Sequence, residues 1–202
     1  MNKVITIGRE FGSGGREIGR KLAQLLDFEY YDNEILTEIV KHTELSENYI
    51  NEVIEGKKHR LFPITVEHSF ITGTDYTLKQ VQNIYKAQTE VIKKMAKTSN
   101  CVIVGRCADF ILRDEDVELT RLFIYSDMES KIKRCRERAS EDENLDDKQL
   151  KKKIININKG RAGYYEDYTL NKWGSKENYD MCFNTTNTDI SVLCEHIAAF
   201  FK

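Results

Sequence analysis

The chain has 202 residues, 40% of them hydrophobic, and a formal net charge of −2. This length and composition suit one globular domain with a core of its own. A near-neutral charge excludes the basic footprint expected of a protein that binds nucleic acid or a membrane surface. No apolar run approaches the roughly 20 residues that a membrane span needs.

The cysteines and the N-terminus indicate where the protein works. Five cysteines are scattered along the chain and never form a Cys-x-x-Cys pair, which predicts reduced thiols and no zinc site. The first residues run directly into an apolar strand pattern, so no signal peptide is expected. Both features predict a cytoplasmic protein.

Short apolar strands alternate with longer helical segments along the chain. The predicted strands are residues 3–8, 28–32, 101–104, 119–125 and 179–183. The predicted helices are residues 15–26, 33–42, 76–97 and 150–168, together with helices capped at Ser46, at Ser126 or Asp127, and at Asp189. An acidic hinge is expected over residues 140–147. The alternation predicts an α/β fold with a parallel sheet covered on both faces.

The first strand, loop and helix form the most informative stretch of the chain. An apolar strand is followed by a loop with Gly12, Gly14 and Gly15, and a helix begins there. Glycines let backbone N–H groups turn inward, and a helix N-terminus adds a partial positive charge, so this pattern favours phosphate binding. The alternative is that the glycines only form a tight turn between strand and helix.

The loop departs from the usual phosphate-binding motif, Gly-x-x-x-x-Gly-Lys-Ser/Thr. If Gly14 is the second glycine, Gly15 takes the lysine place and Arg16 the hydroxyl place. If Gly15 is the second glycine, Arg16 takes the lysine place and Glu17 the hydroxyl place. The latter register is chemically more sensible, because Arg16 could clamp phosphate oxygens and Glu17 could hold Mg²⁺.

Other polar residues follow the remaining predicted strands. Asp32 follows the second strand, Arg106 the third, and residues 184–186 (Asn-Thr-Thr) the last. Ligands of parallel sheets bind beyond the carboxyl ends of the strands, so these positions are candidates for a site. The alternatives are an N-cap role for Asp32 in the helix from Asn33, and a plain surface role for Arg106.

Taken together, these motifs make the chain resemble the cytidylate-kinase-like family of P-loop kinases over almost its whole length. The resemblance is to the branch with Gly-Gly-Arg-Glu in place of Gly-Lys-Ser/Thr. The segments that carry it are residues 5–17, 30–32, 102–106, 160–165 and 179–186.

The resemblance implies a three-layer αβα P-loop NTPase fold with a central parallel sheet and a helical lid. Residues 1–202 would form one domain, with an acceptor-binding insertion at about 33–98 and a lid at about 140–175. The implied reaction moves the ATP γ-phosphoryl group to a nucleoside monophosphate such as CMP, with Mg²⁺ as cofactor. The nucleotide and a small phosphate acceptor are the implied partners.

The resemblance also implies roles for individual residues. Arg106 would hold the acceptor phosphate, Asp109 would face the acceptor base, and Asp32 would orient the acceptor or a Mg²⁺ water. Lys159 and Arg161 would act catalytically from the lid together with Arg16 and Arg106, although Lys-x-Arg on a helix is also typical of a solvated face. The residues that would bind the donor are Arg9, Phe11, Gly12, Ser13, Gly14, Gly15, Arg16 and Glu17.

Two further interpretations stay open. The missing lysine favours a nucleotide-binding module without transferase activity, and the lack of a clear cytosine-reading residue favours a kinase for another small acceptor. The cationic run at residues 131–138 is typical of a solvated helix face, with a phosphate role for Arg134 or Arg138 as the alternative.

Overall fold

A computed structural model of the protein describes residues 1–43, 45–54, 72–139 and 145–201, with side chains from residue 79 onward in the third of these ranges. Its centre is one five-stranded sheet in the order β2-β3-β1-β4-β5. Every neighbouring pair of strands is parallel, which confirms the predicted α/β fold. The strands are β1 (Lys3–Arg9), β2 (Glu29–Tyr31), β3 (Cys101–Val104), β4 (Glu118–Tyr125) and β5 (Met181–Asn184).

Helices connect the strands and cover both faces of the sheet. The helices are α1 (Gly15–Leu26), α2 (Asn33–Thr43), α3 (Glu47–Ile54), α4 (Thr72–Thr98), α5 (Ala108–Ile111), α6 (Met128–Glu137), α7 (Asp147–Thr169) and α8 (Ile190–Ala199). A 3₁₀ turn, Lys176–Asn178, precedes β5. Within the described residues, no helix is at once long and apolar enough to cross a bilayer.

The strand side chains alternate between two apolar layers. Ile5 and Ile7 of β1 pack with α1 and α8 on one face. Val4 of β1 and Ile103 of β3 pack with α2, α3, α4 and α7 on the other face. This period of two places successive residues on opposite faces, so burial on both sides explains why the strands are almost uniformly apolar.

Aspartate caps set the starts of α6, α7 and α8, and one of them accounts for an error in the predictions. The carboxylates of Asp127 and Asp189 accept backbone N–H groups at the starts of α6 and α8, as expected. Asp146 forms a reciprocal capping box with Gln149, so α7 begins at Asp147. The predicted acidic hinge is therefore wrong at its C-terminal end, and residues 140–144 lie outside the described part. The short helix α5 was not predicted.

Candidate functional site

The glycine loop joins the end of β1 to the start of α1 at the carboxyl edge of the sheet. Gly14 is the N-cap of α1 with φ +86°, and no side chain caps this end. The first N–H groups of an α-helix have no partner within the helix, so they are available to an anion. A Cβ on Gly15 would lie 2.5 Å from Cβ of Arg9, so only glycine allows this close approach.

Hydrogen bonds from other parts of the chain fix the loop. The Phe11 N–H donates to Oδ1 of Asn158 on α7, over 2.7 Å. The Thr185 hydroxyl, just beyond β5, donates to the carbonyl of Ser13 over 2.7 Å. Ser13, which lies within the loop, is fully buried. The loop is therefore held in place by α7 and by the segment that follows β5.

A cavity of about 230 Å³ lies over the loop. Six predicted donor-binding residues line it: Arg9, Phe11, Gly12, Gly14, Gly15 and Arg16. The other walls come from α6, the residue that follows it, and α7, and include Arg134, Cys135, Arg138, Leu150, Lys153 and Arg161. Arg161 is a predicted lid residue, and a phosphate role for Arg134 or Arg138 is an alternative that the sequence left open. Cys135, Leu150 and Lys153 were not predicted.

Arg16 takes the lysine place if Gly15 is the second glycine of the motif, and its side chain is paired with Asp32. Its Nε lies 2.6 Å from Oδ2 of Asp32, and its side chain is 48% exposed. Nη2 of the buried Arg9 lies 3.5 Å from Oδ1 of the same carboxylate. The carboxylate of Asp32 therefore faces two guanidinium groups that line the cavity over the loop, and its predicted role toward an acceptor stays a prediction.

The carboxylate of Glu17 is also surrounded by cations. Lys21 Nζ lies 3.2 Å from one oxygen, and the Arg138 guanidinium binds the other. A hard dication bound at Glu17 would have to displace or face both of these positive groups. The surroundings of Glu17 therefore do not fit its predicted role as a Mg²⁺ ligand.

The cationic side chains of α6 are not all exposed to solvent. Lys131 is buried and its Nζ lies 2.5 Å from Oε2 of Glu10. The Arg134 guanidinium donates to the Ser126 hydroxyl over 3.3 Å and to the Thr185 carbonyl. Burial, followed by the nearby Arg138, lowers the pKa of Arg134. A solvated face is thus the wrong interpretation for Lys131 and Arg134.

A second, smaller cavity of about 40 Å³ adjoins the end of β3. The turn that forms it has positive φ angles at Gly105, Arg106 and Cys107, of 76°, 61° and 53°. Two of these are non-glycine residues in the left-handed region, a strained conformation that clusters at functional sites. Arg106 is 6% exposed, and its carbonyl accepts from Nε2 of Gln88 over 2.9 Å.

Asp109 also lines this cavity and is buried. The Tyr165 hydroxyl donates to Oδ2 of Asp109 over 2.7 Å. Burial raises the pKa of Asp109 above its ordinary value of 3.8, although the hydrogen bond from Tyr165 opposes the shift. The cavity therefore offers a buried arginine and a carboxyl group of altered acidity. The predicted acceptor roles of Arg106 and Asp109 remain predictions.

The substitution Asp109→Asn tests the electrostatic cost of this burial. Asp109 has a higher pKa in the folded state than in the unfolded state. The native protein therefore loses stability as pH rises from the unfolded-state pKa through the folded-state pKa of this carboxyl group. Asparagine does not titrate, so the variant's free energy of unfolding should rise relative to the native protein's between about pH 4 and about pH 7. Urea unfolding at both pH values measures the difference, and a pH-independent difference would contradict the shift.

Arg161 on α7 connects the two cavities. It lines both of them, as does Arg9. Its Nη1 donates to the Arg9 carbonyl over 3.3 Å, and its guanidinium lies 5.6 Å from the centre of the Phe11 ring. Lys159 is exposed on the same helix and is not among the described residues that line either cavity. The structure thus brings Arg161 to the site but not Lys159.

Solved structures of other proteins have a similar fold. A crystal structure of an uncharacterized protein from Eubacterium ventriosum is similar, with 28% identity over 98% of both chains and a TM-score of 0.72. Shikimate kinase from Bacteroides thetaiotaomicron shares the fold, with 14% identity over 98% of both chains and a TM-score of 0.57. Shikimate kinase from Acinetobacter baumannii, solved with shikimate, gives 15% identity, a TM-score of 0.53 and coverage of 100% of this chain and 93% of that one.

No curated protein matches the chain. The model of the cytidylate kinase-like family matches residues 4–187. That range contains the glycine loop, the Arg106 turn and the α7 arginine. The five-stranded parallel sheet with flanking helices is that of P-loop kinases. The chain belongs to the cytidylate kinase-like family.

Proposed function

We propose that the protein transfers the γ-phosphoryl group of ATP to a nucleoside monophosphate of the CMP type. The observation that carries this proposal is that Arg9 and Arg161 line both cavities. Phosphoryl transfer needs a donor and an acceptor on either side of a cationic centre, and it needs little covalent participation by the protein. The family membership supports the same reaction class.

Each cavity has a role in this proposal. The N–H groups at the start of α1 and the Arg16 guanidinium would bind the donor phosphates. The buried Arg106 would bind the acceptor phosphate, and Asp109 would contact the acceptor base. Arg161 would stabilise the charge that develops on the transferred group, since a guanidinium between donor and acceptor acts where that charge appears.

Two observations favour other functions. Arg16, the cation in the lysine place, is paired with the Asp32 carboxylate. This pairing favours a nucleotide-binding module without phosphoryl transfer. The acceptor cavity is about 40 Å³, far below the ~300 Å³ of common ligand sites, which favours a smaller acceptor. A nucleotide acceptor therefore requires the cavity walls to part on binding.

An acceptor panel separates these functions. The purified protein would be given ATP and magnesium chloride with each nucleoside monophosphate and with a set of small alcohols, and ADP formation would be followed. Turnover with CMP that the substitution Arg106→Ala removes supports the proposal. Turnover with a small alcohol alone favours the smaller acceptor. ATP binding by calorimetry without turnover on any acceptor favours the binding module.

A further inference from the structure

Positive charge is concentrated around the donor cavity. Among the described residues that line it, six are cationic and one is a carboxylate, Glu10. The cationic residues are Arg9, Arg16, Arg134, Arg138, Lys153 and Arg161. A group of like charges in a partly enclosed cavity is unfavourable unless carboxylates of the protein or a bound anion offset it. The arrangement therefore suits a ligand with several negative charges.

The carboxylates nearest the loop are already engaged by cations. Glu10 accepts from Lys131 over 2.5 Å and from the Ser126 N–H over 3.1 Å. Glu17 faces Lys21 and Arg138. Asp32 faces Arg9 and Arg16. Each carboxylate at this junction is thus neutralised by the protein itself.

These ion pairs argue against a magnesium site at the loop. Mg²⁺ prefers oxygen ligands in a near-ideal octahedron and gives up its waters reluctantly. The hydroxyl place of the motif holds Glu17, whose two oxygens face cations. The site offers guanidinium groups where a dication would otherwise neutralise the phosphates.

We propose that the guanidinium groups around the glycine loop take the place of a divalent cation in binding the donor's polyphosphate chain, so that free ATP binds as tightly as its magnesium complex. This inference rests on the proposed function, because it assumes that the donor occupies the glycine loop. Arginine binds phosphate oxygens through two parallel N–H donors and stays charged.

Arg134 and Arg138 are the residues that distinguish this site from a motif with lysine and a hydroxyl. The Arg134 guanidinium donates to uncharged oxygens of Ser126 and Thr185. Its charge therefore remains available to an anion in the cavity. Arg138 is 47% exposed at the cavity wall and bridges to Glu17. Arg134 projects from α6 and Arg138 is the residue that follows this helix, which approaches the loop closely at Gly12.

Calorimetry of the whole protein with ATP tests the inference. Titrations would be run in EDTA and in magnesium chloride at the same ionic strength, because salt screens charge interactions. We expect the two Kd values to agree within about twofold, as equal binding of both forms requires. A Kd at least about tenfold weaker in EDTA would overturn the inference but leave the donor site intact. An absence of binding in both buffers would overturn the donor site and the inference together.

Matched variants on α6 identify the responsible groups. Arg138→Met should weaken ATP binding in EDTA by about tenfold, since a charge-assisted hydrogen bond is lost, and Arg134→Met should do at least as much. Lys133→Met is the control, because Lys133 is exposed on the same helix and outside the cavity. Circular dichroism would verify folding. If Arg138→Met binds ATP in EDTA as tightly as Lys133→Met does, the assignment to arginine is wrong.

Discussion

Arg161→Ala is expected to lower kcat by about 10³-fold, the lower end of the range known for an arginine that stabilises a transferring phosphoryl group. Arg161 lines both cavities and contacts the β1 end through the Arg9 carbonyl. Its side chain therefore lies where donor and acceptor phosphates would meet. Steady-state kinetics with the acceptor identified by the panel measures the effect.

A charge-preserving variant and a surface variant complete this test. Arg161→Lys keeps the charge but loses the planar pair of donors, so it should recover only part of the rate. Lys152→Ala changes an exposed cation on the same helix, outside both cavities, and should leave kcat unchanged. If the Arg161→Ala variant turns over as fast as the Lys152→Ala variant, Arg161 is not part of the catalytic centre.

Lys131→Met should lower the free energy of unfolding by about 2 kcal/mol, because removing the buried ammonium group leaves the partly buried Glu10 carboxylate without its cationic partner. Lys131 is 5% exposed and its ammonium group bonds the Glu10 carboxylate at the end of β1. The same carboxylate accepts the Ser126 N–H beyond β4. The pair thus connects α6 to the ends of β1 and β4, next to the cavity over the glycine loop.

Urea denaturation of three variants measures this effect. The double variant Glu10→Gln with Lys131→Met removes both charges, so it should recover part of the lost stability. Lys133→Met, on the exposed side of α6, should change the unfolding free energy by no more than about 0.5 kcal/mol. Equal stabilities for Lys131→Met and Lys133→Met would show that the pair contributes nothing.

The fold could be predicted largely from local patterns. Val4, Ile5 and Ile7 are apolar on both faces of one strand, which predicts a buried parallel sheet. Asp127 and Asp189 precede helical patterns and cap them as expected. Asp146 was missed as a cap because it lies at the end of an acidic run, where a solvated hinge and a helix start have similar composition. Local charge alone does not distinguish the two.

The site was predictable only in part, because its far wall comes from distant segments. The glycine loop and the Arg106 turn follow strands directly, so their place at the sheet edge follows from topology. Arg134, Arg138 and Lys153 reach the cavity through the packing of α6 and α7. Their helical spacing is compatible with either a buried or a solvated face. The approach of Gly12 to Lys131 and Cys135 places one side of α6 against the loop, and the bond from the Phe11 N–H to Asn158 does the same for α7.

The role of Arg16 depends on a contact that the sequence does not reveal. Arg16 and Asp32 are separated by α1 and β2, and the parallel pairing of the sheet brings both to one edge. Their 2.6 Å contact changes an expected phosphate clamp into a pair that an anion must share or open. This is a tertiary effect, since neither residue's local sequence predicts the other.

A crystal structure of the protein with a non-hydrolysable ATP analogue tests the central claim most directly. The account predicts that the analogue's phosphate oxygens lie within hydrogen-bond distance of the N–H groups of Gly14, Gly15 and Arg16, with arginine side chains of α6 around them. Phosphates bound at another surface, or a glycine loop without the analogue at saturating concentration, would contradict it.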